Sequence, residues 1–321
     1  ENDKISQIIY ESLREYLDVF QYNKISSKKK NFGNLSFINE VFQRCYLQDE
    51  NTDNYFKQLI NSENDLDYSR YTFFYLHYLV KNNKLRDAKE MAIEIDILGS
   101  SLLVSQGKAW IKQKRLGEFS KIFSCQNSSD IVSEFFYLIA NLYTSQNDHK
   151  NSSFYLNLSQ YLNPNFKFNL SLLAENYYAN NNLEKAEKIL DNFDQNDDLY
   201  YWFKLKKQAQ IISKKMNNEE GLNFLNDNFK KINNPSIKMI FDIANFNKNI
   251  KKYKEAIIYY NRIISKIEVD SSFYAEILYR RGSAHERLGD HINSDKDLLR
   301  SLEINPEDAY ILNYLAYSWL E

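Results

Sequence analysis

The chain has 321 residues and a formal net charge of -2, so no sequence-wide basic field points to nucleic acid or an anionic membrane, and no acidic excess points to a tail. Apolar residues make up 43%, enough to bury a core, while seven glycines and three prolines are too few for sandwiches and barrels built on tight turns. What remains is an all-α chain with short connections.

Asparagine occurs 39 times, beside abundant lysine, isoleucine and tyrosine, a bias that an AT-rich genome produces without functional pressure. Cys45 and Cys125 are the two cysteines. With no CxxC and no nearby histidine pair they imply neither a zinc site nor a disulfide framework, and the redox compartment stays open. The longest apolar clusters, such as FFYLIANLY at Phe135 to Tyr143, are about half of the roughly 18 residues that a membrane span needs. The chain starts at Glu1 without an apolar leader, which leaves the location open between cytoplasmic and, if a leader was removed, periplasmic or otherwise exported.

In chain order, Glu1 to Phe20 reads as one helix through Ile5, Ile8, Ile9, Leu13, Tyr16 and Leu17, and SSKKKNFGN at Ser26 to Asn34 reads as a polar connection. Leu35 to Tyr68 has the length of a helical pair with a loose pattern, and we read residues 1–68 as a degenerate or capping region. Ser69 to Leu102 fits a helical pair through Leu76, Leu79, Asn83, Leu85 and Ala88. Residues 103–132 form a shortened unit in which Trp110 and FSKIF at Phe119 to Phe123 still suggest two helices. Ser133 to Phe166 and Ala275 to Asp308 are 34 residues each and superimpose, with Pro164 where Pro306 sits and Gln146-Asn147-Asp148 where Leu288-Gly289-Asp290 sits. Residues 167–200, 202–235 and 237–270 continue the period, with a four-residue insertion before Ala275, and 309–321 begin one more copy.

Three positions in that register have a physical meaning. Position 8 holds Ala140, Ala174, Ala244, Gly282 and Ala316, and position 20 holds Ala88, Ser152, Ala186, Ala256 and Ser294. Two antiparallel helices approach closely only where side chains are short, so these mark the crossing point of each pair. Position 15 holds Asn83, Asn147, Asn181 and Gly289, the residue types that enter the left-handed conformation at least cost.

A 34-residue helix-turn-helix with small residues at 8 and 20, an aromatic such as Tyr143 or Tyr177 at 11 and a proline at 32 resembles the tetratricopeptide repeat. The resemblance covers most of residues 69–321 and implies a right-handed α-solenoid. It also implies that positions 2, 5, 9 and 12 of each first helix line a concave groove. Those positions hold Phe73 and His77, Tyr137 and Asn141, Ser171, Glu175 and Tyr178, Phe241 and Asn245, Tyr279 and Ser283, and Tyr310 and Asn313. An aromatic at 5 with asparagine at 9 suits an extended peptide, since the ring meets side chains and the amide bonds the backbone. The carboxylate grip of chaperone-binding members is incomplete: Tyr137 and Phe241 stand where its lysine would, and Arg280 lacks that lysine partner.

No catalytic set emerges. His149 and His291 occupy position 17 and His285 position 11, so the cluster HERLGDH is divided between two helices and reads as packing rather than a metal site. There is no phosphate cradle, nucleophile elbow or cofactor motif. The expected function is therefore a non-catalytic scaffold binding a protein or peptide, without metal or cofactor. Single-stranded RNA binding is the alternative, opposed by the scattered Lys28 to Lys30, Lys204 with Lys206 and Lys207, and Lys251 with Lys252. A third reading is the interaction arm of a multidomain enzyme. The last stretch, YILNYLAYSWLE, places Leu312, Leu315 and Ala316 at positions 4, 7 and 8 and Trp319 at 11 of an unfinished repeat, a face that could also self-associate.

Overall fold

The computed structural model describes residues 2–25, 30–61, 69–96 and 100–318, and eighteen helices lie among them. Tight contacts divide the chain into unit 1, Glu1–Phe203, and unit 2, Lys204–Glu321.

Unit 1 opens with α1 (Asn2–Tyr22), α2 (Asn34–Leu47) and α3 (Thr52–Ile60), followed by α4 (Ser69–Lys81) and α5 (Leu85–Glu94). The shortened unit is α6 (Leu102–Lys112) with α7 (Glu118–Ile122), a second helix of only five residues. Regular pairs follow as α8 (Ser128–Ser145) with α9 (His149–Leu162), and α10 (Lys167–Ala179) with α11 (Leu183–Leu190). Helix α12 (Asp198–Lys215) leads into unit 2, where it pairs with α13 (Asn218–Phe229). Then come α14 (Ile237–Asn249) with α15 (Tyr253–Ile264), α16 (Ser272–Glu286) with α17 (His291–Ile304), and α18 (Ala309–Ser318).

The small residues sit where two helices cross. Ala140, Ala174 and Ala244 at position 8, and Ala88, Ser152, Ala186, Ala256 and Ser294 at position 20, are all fully buried. At Gly282 an added Cβ would come 3.0 Å from Leu298 Cγ, and at Gly221 it would come 2.5 Å from the Ala209 carbonyl oxygen. The turns follow equally local rules. Asn83, Asn147, Asn181 and Gly289 all have positive φ, and so does Lys251 at the same position of its repeat. Each lets the next amide reach back to the helix it closes, as in Lys84 N to Leu79 O at 2.8 Å and Asp148 N to Tyr143 O at 2.9 Å. Asp148, Asn182 and Asp290 then cap the following helix with their side chains. The insertion at 271–274 adds a turn to the front of α16, with Ser271 Oγ accepting from the Tyr274 amide.

Two features depart from the expected regular stack. The cysteines are joined: Cys45 on α2 and Cys125 after α7 form a disulfide with Cα atoms 5.6 Å apart, both buried. Eighty residues separate them without a local motif, so only the return of α6–α7 over α2 reveals the pairing. In a chain-entropy account, closing a loop of that length stabilises the fold by about 4 kcal/mol. The second departure is that α4 meets α8 directly, through Arg70 and Glu134, although the shortened unit lies between them in sequence. A five-residue helix presents too little apolar surface to stack as a full second helix.

At the far end, Ile311 and Leu315 of α18 pack on Leu298 with the partly buried Leu302, Tyr279 and Tyr314, whereas Leu312 is exposed. The expected roles of the Ala316 side chain and of Trp319 fall outside the described residues. No helix among the described residues is long and apolar enough to cross a membrane.

Candidate functional site

In unit 1 the first-helix face is covered by the chain itself. Phe73 is fully buried: its ring lies 5.3 Å from Phe119 and 6.2 Å from Trp110, and Gly107 lets α6 approach so closely that a Cβ there would stand 3.0 Å from Phe73 Cδ2. His77 is also buried, its ring parallel to Phe119 at 5.9 Å and its Nε2 3.3 Å from Ser120 Oγ. Burial, with a smaller push from Lys81, lowers the pKa of this imidazole to about 4 and holds it neutral. The expectation that Phe73 and His77 line an open groove is therefore corrected, because α6 and α7 occupy that face.

Tyr137 is buried too, under Arg70, whose guanidinium carbon lies 3.6 Å from the ring centroid, and its hydroxyl bonds Asn141. Ser171 is buried with its hydroxyl donating to the Phe168 carbonyl at 2.6 Å. Asn141, Glu175 and Tyr178 remain half-buried. Beneath them lies a pair that sequence reasoning missed. Arg70 Nε donates to Glu134 Oε1 at 2.8 Å, with Nη2 on Oε2, inside a cage of Tyr137, Phe168, Phe166 and Phe74. Sixty-four residues separate the two charges, so no helical spacing signals them.

In unit 2 the same positions stay accessible. Phe241, Asn245 and Tyr279 are half-buried, and Tyr310 and Asn313 on α18 are exposed; Ser283 is the buried member, its hydroxyl donating to the Arg280 carbonyl. The structure gathers Phe241, Asn245 and Tyr279 around two cations. Arg280 stands 5.1 Å over the Phe241 ring, donates to Glu276 Oε1 at 2.6 Å and reaches Asn245 Oδ1 at 3.4 Å. The Tyr260 hydroxyl donates to the same oxygen at 2.7 Å, so the carboxamide oxygen of Asn245 is already engaged. Lys248 lies 5.8 Å from the Tyr279 ring centroid and has no carboxylate at ion-pair distance among the described residues. Burial, and then the positive Arg280, lower its pKa to about 8. Lys248 occupies position 12 of its repeat, a groove position, so its place was legible in the register.

His285 does not join a metal set. Its Nδ1 lies 2.9 Å from Asp290 Oδ2, and the same carboxylate caps α17. Among the described residues no group of three or more His, Cys, Asp or Glu is placed to hold a metal ion.

The tetratricopeptide repeat family model matches residues 133–166 and 275–308. No curated protein matches the sequence. Among solved structures, a tetratricopeptide repeat protein from Parabacteroides merdae is 12% identical, with 89% of this chain and 98% of that one covered and a TM-score of 0.44. The pilF protein of Pseudomonas aeruginosa is 12% identical, covering 78% and 97%, with a TM-score of 0.38. YrrB, described as a tetratricopeptide protein with an unusual peptide-binding site, is 12% identical over 64% of this chain and 97% of its own, with a TM-score of 0.36. Residues 133–166 and 275–308 are thus tetratricopeptide repeats, a family whose general role is that of an interaction scaffold, and the pairs at 69–102, 167–200 and 237–270 share their buried small residues and left-handed turns.

Proposed function

We propose that the first-helix face of unit 2 binds an extended, acidic segment of a protein partner. The observation that carries this reading is Lys248, a half-buried cation near the Tyr279 ring with no carboxylate at ion-pair distance among the described residues, the nearby Glu276 being already engaged by Arg280. Desolvating an ammonium costs free energy that a bound carboxylate offsets, and the guanidinium of Arg280 adds forked donors to the same place. Phe241 and Tyr279 then serve the apolar side chains of an extended strand, in the manner expected of positions 5. The backbone-bonding role expected of Asn245 is narrowed, since Tyr260 and Arg280 already hold its oxygen.

Selection of extended peptides on the intact chain tests this. Sequences with an acidic residue flanked by apolar ones should be enriched, and Lys248→Met should weaken their binding by about tenfold or more, the loss expected for a charge-assisted contact. Phe241→Ala should weaken them without unfolding the chain. Single-stranded RNA separates the other class: affinity for it that falls steeply with salt would overturn the peptide reading.

A further inference from the structure

Unit 1 contains a cleft of about 210 Å³. Gln106, Trp110 and Glu118 form one wall, and Lys167, Asp197 and Leu199 the other. It lies beside the shortened unit, on the edge of α6 and α7 that faces the start of α10 and of α12. Its charged groups are unequal. Lys167 Nζ is 3.3 Å from Asp194 Oδ2. Glu118 is held by Lys121 at 2.9 Å and by Arg115, which also lines the cleft, at 4.0 Å. Asp197 has no cation at ion-pair distance among the described residues: Oδ2 accepts from Gln106 Nε2 at 3.1 Å, and Oδ1 from the Tyr200 amide at 3.5 Å, while the positive charge that acts on it, Lys167, is shared with Asp194. Gln106 is itself oriented by the Tyr200 hydroxyl, which donates to its Oε1 at 3.4 Å.

A carboxylate fixed in this way, half-buried and only partly compensated by a lysine that is held by another acid, gains from a cation placed beside it. Burial raises the pKa of Asp197, as an incompletely compensated charge requires. The indole of Trp110 in the wall adds the ring face or edge against which alkylammonium and guanidinium groups settle.

We propose that this cleft binds an organic cation, an alkylammonium or guanidinium group, with Asp197 as its counter-ion and Trp110 as its apolar wall. The group has two possible sources, a lysine or arginine side chain of a protein partner and a free small amine. The proposal is independent of the acidic segment assigned to unit 2.

Calorimetric titration of the intact chain with a capped Gly-Lys-Gly peptide, its norleucine analogue, a capped Gly-Glu-Gly peptide and free agmatine tests it. The lysine peptide or agmatine should bind with a Kd on the order of millimolar or tighter, and the norleucine and glutamate peptides should not. Preference between the first two identifies the source. Asp197→Asn keeps a side chain able to cap α12 and should weaken binding by about tenfold. Lys167→Met, which removes a positive charge from the wall, should strengthen it severalfold. Should Asp197→Asn fail to fold, Leu199→Trp fills the cleft from a half-buried position and should abolish binding. Unchanged affinity in the folded Asp197→Asn or Leu199→Trp variant would overturn the proposal. So would binding of the glutamate peptide that Lys167→Met removes, or no binding of either cation up to about ten times the expected Kd.

Discussion

Unit 1 and unit 2 are built on the same period, yet position 5 of a first helix is core in one and surface in the other. Phe73 lies under Gly107, Trp110 and Phe119, whereas Phe241 stays half-buried, meeting Phe273 edge-on and lying under Arg280. The repeat pattern creates the face in both units, and the neighbouring unit decides whether that face stays open. Where the second helix shrinks to Glu118–Ile122, the shortened pair folds onto the first-helix face of α4 and fills it. Where every pair is full length, as from α14 to α17, the face retains Lys248 and Arg280 in partial contact with solvent.

The sharpest way to break this comparison is to remove the same ring from both units. Phe73→Ala should cost about 3–5 kcal/mol, as for a buried phenylalanine, and Phe241→Ala about 1 kcal/mol. Equal losses in denaturant unfolding would mean that the two faces do not differ. The ion pairs give the next contrast. Glu134→Ala leaves Arg70 buried without its partner and should cost about 3–5 kcal/mol, against less than about 1 kcal/mol for Glu276→Ala beside the more exposed Arg280.

Acid should separate the units further. The unfolded His77 takes a proton near its ordinary value of 6.5, and the folded one refuses it until about 4. Below 6.5 the unfolded chain thus binds more protons, and stability falls as pH drops through that window, by up to about 3 kcal/mol. Asp130, lifted by burial from 3.8 to about 6, acts in the opposite sense between those values and more weakly, because it is partly exposed. His77→Phe should remove much of the acid loss, read as hydrogen-exchange protection of α4 and α6 between pH about 7 and about 4.5. The last contrast is between two glycines. Gly221→Ala forces apart α12 and α13 and should cost about 1–3 kcal/mol. Gly117→Ala, with nothing within 4 Å and an ordinary φ, should be neutral or stabilise by up to about 1 kcal/mol.

Much of the fold was readable from residue types alone, because its rules are local. A small residue every 34 positions marks a crossing, and asparagine or glycine at position 15 marks a left-handed turn, as Asn83, Asn147, Asn181 and Gly289 show. Lys251 at the same position shows that the turn can be imposed on a residue that does not favour it. The candidate site was readable only in part. Phe241, Asn245 and Tyr279 follow from register, and Lys248 would have followed from a fuller reading of position 12. The closure of Phe73 and His77 would not, because it depends on where a unit too short to stack comes to rest. The Arg70–Glu134 pair and the Cys45–Cys125 bond are consequences of that same displacement.

The disulfide also orders events in time. Cys45 is synthesised 80 residues ahead of Cys125, so at about 5–20 residues per second it waits roughly 4–16 seconds for its partner. Within that interval α3 to α5 are made before the α6–α7 segment that seals Phe73 and His77. The first helices to be made are thus among the last to be completed, and a chain halted before residue 102 would present as surface the face that the finished protein hides.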